Sequence, residues 1–195
     1  MRIAITGGIG SGKSVVSHLL RIMGYPVYDT DLEARRLMNT SAEIRQNIEA
    51  AFGAGLYAKD GLDRAALARI VFKDAQALQR LNAIVHPVVR RHFGTWADSQ
   101  SAPLVFMESA ILYESGFHDL VDRVWLVTAP DEVRVHRVMC RNGMTEAEVR
   151  QRIASQMSDA ERMQYRPAVI RNDGITPLIP EVLRLLNESG ERKNR

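Results

Sequence analysis

The chemistry in this sequence begins at Gly7-Gly8-Ile9-Gly10-Ser11-Gly12-Lys13-Ser14, which fits G-x-x-x-x-G-K-[ST]. Glycines let a backbone turn through positive φ and come close to a phosphate. A helix starting just after such a loop aims its free N–H groups, and about half a positive charge, at an anion. Lys13 can reach the β- and γ-phosphates of a nucleoside triphosphate, and the Ser14 hydroxyl can ligate Mg²⁺. Gly8, Gly10, Gly12, Lys13 and Ser14 are therefore the candidate holders of a phosphate donor.

Two acids, Asp29 and Asp31, follow a short apolar stretch, and either could simply cap the next helix. Open α/β sheets bind ligands at the carboxyl ends of their strands. Asp31 is thus also a candidate to take the proton of an acceptor hydroxyl or to hold a metal-bound water. Arg134, Arg137 and Arg141 recur at i, i+3 and i+7, so they share one helical face. That face is either solvated or a phosphate contact, with Arg137 and Arg141 the candidates for charge on a transferring group. Glu108 ends an apolar run in the manner of a Walker B strand, where the usual acid is Asp.

The elements that position these groups are legible from periodicity. Residues 2–6 read as a buried strand, and Val16, Leu19, Leu20 and Met23 recur at helical spacing after the loop. This strand–loop–helix context is the one a P-loop requires. Further strands are expected at residues 24–28, 103–107, 124–127 and 168–170. Between residues 41 and 100 no buried strand is evident, and helices are expected at 44–52, 63–72 and 74–84, with another from Pro87 as a first helical residue. Asp63 and Asp74 are N-cap candidates, and Gly53-Ala54-Gly55 and Lys59-Asp60-Gly61 supply turns. Asn142-Gly143 should end the arginine helix. Thr145 and Glu148 form a capping-box pattern opening another that runs through Arg152 and Gln156. A closing helix is expected at 180–186, then a disordered tail from about Glu188.

Short apolar strands alternating with helices indicate a parallel sheet covered on both faces. The expected fold is α/β, a three-layer α/β/α P-loop kinase with a parallel five-stranded sheet, a helical substrate-binding insertion and a lid. Residues 1–30, 101–136 and 166–195 would form the nucleotide-binding core, 31–100 the insertion and 137–165 the lid.

Composition excludes other classes. The chain has 195 residues, a net charge of +3 and scattered basic residues, which does not suggest nucleic-acid binding. Cys140 is the only cysteine, so no internal disulfide or cysteine-based metal cluster can form, and it reads as an ordinary helix residue rather than a reactive thiol. No signal-peptide pattern and no apolar run approaching the ~18 residues of a membrane span is present, so a cytoplasmic protein without a membrane partner is expected. No Asn is followed by Lys, so the N-K-x-D guanine signature of GTPases is absent. A small kinase remains, with a non-catalytic nucleotide-dependent regulator as the alternative from another class.

The sequence resembles the dephospho-CoA kinase family over nearly its whole length. Thr6 through Ser14, Asp29-Thr30-Asp31, Gly61-Leu62-Asp63-Arg64 with Leu67 and Phe72, and Leu112-Tyr113-Glu114-Ser115-Gly116 all fit. So do Arg137 with Arg141, Arg152 with Gln156, and Ile170-Arg171-Asn172-Asp173-Gly174. Leu81-Asn82-Ala83-Ile84-Val85-His86-Pro87 is the most specific, because general P-loop kinases lack it. The resemblance implies that ATP, with Mg²⁺, phosphorylates the ribose 3′-hydroxyl of dephospho-CoA to give coenzyme A. It implies Asp31 as base, residues 10–15 (Ser11 and Val15 included) and Asn172 at ATP, and Arg141 as lid arginine. Arg64, His86 and Glu108 would serve dephospho-CoA. The partners are then the two substrates, in a monomer or small homo-oligomer.

Two departures stand out. The family's Asp-x-Pro-Leu-Leu is Glu108-Ser109-Ala110-Ile111-Leu112, and its Ala-Asp before the last strand is Arg166-Pro167. Neither touches Lys13, Ser14 or Asp31.

Overall fold

The computed structural model describes residues 1–59 and 61–190. They form two compact units, Met1–Tyr28 with Gln100–Arg195, and Asp29–Ser99.

The first unit is built on a five-stranded sheet. Its strands are β1 (Arg2–Thr6), β2 (Val27–Asp29), β5 (Val105–Glu108), β6 (Arg123–Thr128) and β7 (Ala168–Arg171), in the order β2-β5-β1-β6-β7. β1 pairs in parallel with β5 and β6, and β6 in parallel with β7. The strand leading into the glycine loop is therefore central, with Ile3, Ala4 and Ile5 fully buried. Helices α1 (Lys13–Ile22) and α9 (Leu178–Gly190) cover it. Val16 and Leu20 of α1 and Val182 and Leu185 of α9 share one core with Ile3, Ile5, Phe106 and Trp125. The rings of Phe106 and Trp125 lie 5.2 Å apart, centre to centre. Also in this unit are α6 (Asp131–Asn142), α7 (Glu146–Ala154) and α8 (Asp159–Met163). Gly143, left-handed at φ 65°, ends α6, and the expected capping box at Thr145 opens α7.

Several boundaries differ from expectation. The second strand begins at Val27 rather than residue 24, because Tyr25 N–H is taken by the Leu20 carbonyl at the end of α1. α7 stops at Ala154, so Gln156 lies beyond it. α9 begins earlier and runs through Glu188 to Gly190, since Val182, Leu185, Leu186 and Ser189 keep a buried face to its end. Residues 191–195 lie outside the described residues.

The second unit holds α2 (Thr30–Thr40), α3 (Ala42–Phe52), α4 (Arg64–Val71) and α5 (Ala75–Asp98). It is not purely helical. Tyr57–Ala58 (β3) and Gly61–Leu62 (β4) form a small antiparallel pair. Two-residue strands are too short to carry an alternating pattern, and side chains hold this pair in addition to its own short ladder. Tyr57 Oη donates to the Met38 carbonyl at 2.8 Å, and Asn39 Oδ1 accepts from Leu62 N–H at 3.0 Å. Asp60, within the expected turn, is not among the described residues.

Asp63 and Asp74 cap α4 and α5 as expected. Pro87, however, does not start a helix; it lies inside the 24-residue α5. An interior proline costs about 3 kcal/mol through a lost hydrogen bond and a ring clash. Burial of Val85, Val88, Val89 and Phe93 around it offsets that cost, at about 1.5–3 kcal/mol per side chain. α2, α3 and α4 all pack on α5.

Gly94 sits inside α5, where an added Cβ would meet nothing within 4 Å. Gly94→Ala should therefore raise stability by about 0.5–1 kcal/mol, read as a higher urea midpoint. An unchanged or lower midpoint would show that the glycine is needed there.

Candidate nucleotide and phosphate site

β1 delivers the chain into a loop whose glycines have no room for side chains. Gly7, Gly10 and Gly12 adopt φ of 147°, 78° and 95°. A Cβ on Gly7 would collide with the Val127 carbonyl, one on Gly8 with the Arg134 guanidinium and one on Gly12 with the Asn172 amide. The loop backbone thus lies pressed between β6, α6 and the end of β7.

Gly12 is the N-cap of α1, with no side-chain hydrogen bond closing that end and no acid in the first turn. Among the described helices, α1 alone lacks both. α2, α3, α4 and α5, by contrast, are all closed by an Asp or Ser side chain. Val15 N–H already donates to the Gly12 carbonyl at 3.0 Å, so the start of α1 offers an anion the Ser14 N–H and the positive end of the helix dipole. Lys13 Nζ folds back to the Gly7 carbonyl at 2.8 Å and the Gly8 carbonyl at 3.3 Å. The buried hydroxyls of Thr6, Ser11 and Ser109 have no hydrogen-bond partner among the described residues. Glu108 ends β5, half-buried, opposite Ile5 in the strand register.

The three arginines on one face of α6 have three different situations. Arg134 is buried, its Nε donating to the Ile9 carbonyl at 2.9 Å and its Nη1 paired with Asp131 at 3.0 Å. Arg137 is half-buried, its Nη1 donating to the Asn172 carbonyl at 2.9 Å and its Nη2 reaching Asn172 Oδ1 at 3.4 Å. Asn172 Nδ2 in turn donates to the Ser11 carbonyl at 2.8 Å. Arg141 is exposed, with its Nε on Asn142 Oδ1 at 2.8 Å. Only Arg141 has the solvated setting considered for the whole face.

Two further loop contacts escaped the sequence reading. Arg134 acts on loop backbone rather than facing solvent, and Gln156 Oε1 accepts from Ile9 N–H at 2.8 Å. Their partners are 125 and 147 residues away, so no local pattern could announce them. The pairing of Arg152 with Gln156 in the family motif was the available signal.

The remaining candidates lie in the helical unit. Asp29, not Asp31, is the N-cap of α2, accepting from the N–H groups of Asp31 and Leu32 at 3.0 Å each. Asp31 sits exposed in the first turn of that helix. Arg64 opens α4 and is exposed. His86 lies half-buried within α5, and burial pushes its imidazole pKa below 6.5.

A magnesium ion fits this donor set in one manner. Among the described residues there is no group of three or more His, Cys, Asp or Glu side chains that could cage a metal. Mg²⁺ commonly binds through substrate phosphates and water with few protein ligands. A single hydroxyl from Ser14 beside the anion-receiving loop suits that habit. No described helix is long and apolar enough to cross a membrane. Cys140 lies exposed on α6, its sulfur 3.7 Å from His136 Nε2.

The family model described as dephospho-CoA kinase matches residues 1–177. The dephospho-CoA kinase of Bacteroides fragilis is 43% identical over 187 residues, covering 95% of this chain and 91% of that protein. A crystal structure from Thermus thermophilus superposes with a TM-score of 0.82 at 38% identity, covering 98% of this chain and 97% of that one. The dephospho-CoA kinase structure from Campylobacter jejuni gives 0.71 at 22% identity, covering 98% of each, and so attests the fold alone.

Two predictions arise from the site. Gly12→Ala forces a Cβ into Asn172 at a left-handed φ, a strain of about 1–3 kcal/mol before the collision is counted. Binding of a non-hydrolysable ATP analogue should fall at least ~10-fold by calorimetry, and an unchanged affinity would mean the loop does not hold the nucleotide in this shape. For His86, the folded state holds the proton less tightly than the unfolded one. Its contribution to stability is therefore fully present above pH 6.5 and is lost as pH falls from there through the lower folded-state value. An NMR titration should place the His86 midpoint below 6.5; a midpoint at or above it would contradict the burial argument.

Proposed function

The chain belongs to the dephospho-CoA kinase family, and from that membership we propose the roles its residues take in the reaction. That reaction is transfer of a phosphoryl group from ATP to the ribose 3′-hydroxyl of dephospho-CoA, giving coenzyme A and ADP in the final step of coenzyme A synthesis. The single observation carrying the reading is the family match over residues 1–177, which includes both the uncapped loop and the helical unit.

The backbone of Gly8, Gly10, Ser11, Gly12, Lys13, Ser14 and Val15 would cradle the triphosphate, with Asn172 setting the loop's position. Lys13 would leave the carbonyls of Gly7 and Gly8 for phosphate oxygens. Mg²⁺, held by the Ser14 hydroxyl and the phosphates, would neutralise charge on the donor. Asp31 would take the proton of the 3′-hydroxyl while its oxygen bonds to the γ-phosphorus. The bond from that phosphorus to the β–γ bridging oxygen breaks, and ADP departs. Arg137 and Arg141 would stabilise the charge on the transferring group, Arg137 after exchanging Asn172 for phosphate. Arg64, His86 and Glu108 would hold dephospho-CoA.

We assign residues 31–100 to acceptor binding and 137–165 to a lid over a core of 1–30, 101–136 and 166–195. A lid that excludes water would limit wasteful hydrolysis of ATP. The setting is cytoplasmic, the assembly a monomer or small homo-oligomer, and neither nucleic acid nor membrane is a partner.

A coupled ADP-release assay with dephospho-CoA, AMP, CMP and nucleosides as acceptors tests the substrate. ADP release with dephospho-CoA alone is expected. Release with AMP or a nucleoside but not dephospho-CoA would point to another small kinase, and release with none to a non-catalytic nucleotide binder. In the same assay Asp31→Asn should lower kcat at least ~10²-fold with ATP affinity nearly intact, as for loss of a general base. Turnover near wild type would reduce Asp31 to a first-turn helix acid.

A further inference from the structure

Ile9 is the one residue of the glycine loop with a large apolar side chain, and both of its backbone polar groups are held by side chains from far along the chain. Its carbonyl accepts from Arg134 Nε at 2.9 Å, and its N–H donates to Gln156 Oε1 at 2.8 Å. Its side chain packs on Val135 and Val138 of α6 and Val149 of α7, with Met139, Met144 and Ile153 alongside. The loop is thereby fixed at one residue, by three kinds of contact, to the α6–α7 pair.

Each holding group is itself immobilised. Arg134 is only 5% exposed, its charge met by Asp131, and its guanidinium occupies the space a side chain on Gly8 would need. Burying a guanidinium against backbone is costly unless its donors are used. Gln156 stands in the linker between α7 and α8. The next residue, Met157, donates its N–H to Glu114 Oε1 at 3.3 Å. That carboxylate lies 3.7 Å from Arg162 Nη2, and Arg162 is fully buried and also paired with Asp159 at 3.1 Å.

We infer that Arg134 and Gln156 are positioning residues that clamp the loop at Ile9, so that the shape receiving the triphosphate is set by the α6–α7 pair. In this arrangement Arg134 serves loop geometry rather than phosphate charge, unlike its neighbours on the same face. Any movement of the α6–α7 pair is transmitted to the loop through Ile9, and nucleotide affinity depends on the clamp while acceptor affinity does not. The inference deepens the proposed function and rests on the loop being the ATP site.

Gln156→Met keeps side-chain length and removes the acceptor. Two readouts are expected to move together. The Ile9 amide should exchange with solvent at least ~10-fold faster, with the β1 amides unchanged. Calorimetry should show a non-hydrolysable ATP analogue bound about tenfold more weakly, the loss of one hydrogen bond to a partly buried N–H, with dephospho-CoA affinity within twofold of wild type. Analogue binding within twofold of wild type would overturn the inference. So would an equal loss of both ligands, which is the mark of a general structural role. Wild-type turnover is measured in parallel. A wild-type protein that binds the analogue but does not phosphorylate dephospho-CoA counts against the proposed reaction and leaves the clamp measurement standing.

Discussion

The close approach of the loop backbone to its neighbours is the constraint on which the site depends. Gly8 and Gly12 lie directly against Arg134 and Asn172, and α1 begins without a side-chain cap. A glycine loop in isolation would be flexible, since glycine loses more conformational freedom on folding than any other residue. Here the freedom is removed from outside. Val127 lies behind Gly7, Arg134 and Gln156 hold Ile9, and Asn172 holds Ser11 and Gly12, while the start of α1 carries no side-chain cap and keeps its positive dipole end for an anion. Preorganised donors of this kind need little rearrangement when charge arrives.

The sheet strands, the loop and several capping residues were legible because each depends on residues adjacent in sequence. Asp63, Asp74, Gly143 and Thr145 do in the structure what their local chemistry demands. Pro87 was misread for a physical reason: local rules give its cost, while the burial of Val85, Val89 and Phe93 that offsets it is tertiary. The β3–β4 pair was invisible because its anchors, Met38 and Asn39, lie in α2, on the far side of α3 in the sequence. Among the residues proposed to act, Lys13 and Ser14 follow from the motif and Asp31 from its place after a strand. What Arg134, Gln156 and Asn172 touch was not legible, since each bond spans more than a hundred residues.

The three arginines of α6 show how far periodicity can be pressed. A shared helical face is correct as geometry, yet the face passes from buried at Arg134 to exposed at Arg141 within two turns. One end is fixed to the loop, and the other lies at the surface with its Nε on Asn142 Oδ1. Equal spacing did not mean equal function.

The position of Lys13 has a consequence for how binding energy is divided. A lysine side chain loses up to about 2 kcal/mol of rotational entropy when it is immobilised. In this protein its ammonium rests on the carbonyls of Gly7 and Gly8. That ordering is settled during folding, so it does not weigh against association. A phosphate bound at the proposed site would meet a cation that changes hydrogen-bond partners, so the contact would be an exchange of acceptors instead of the capture of a freely moving arm.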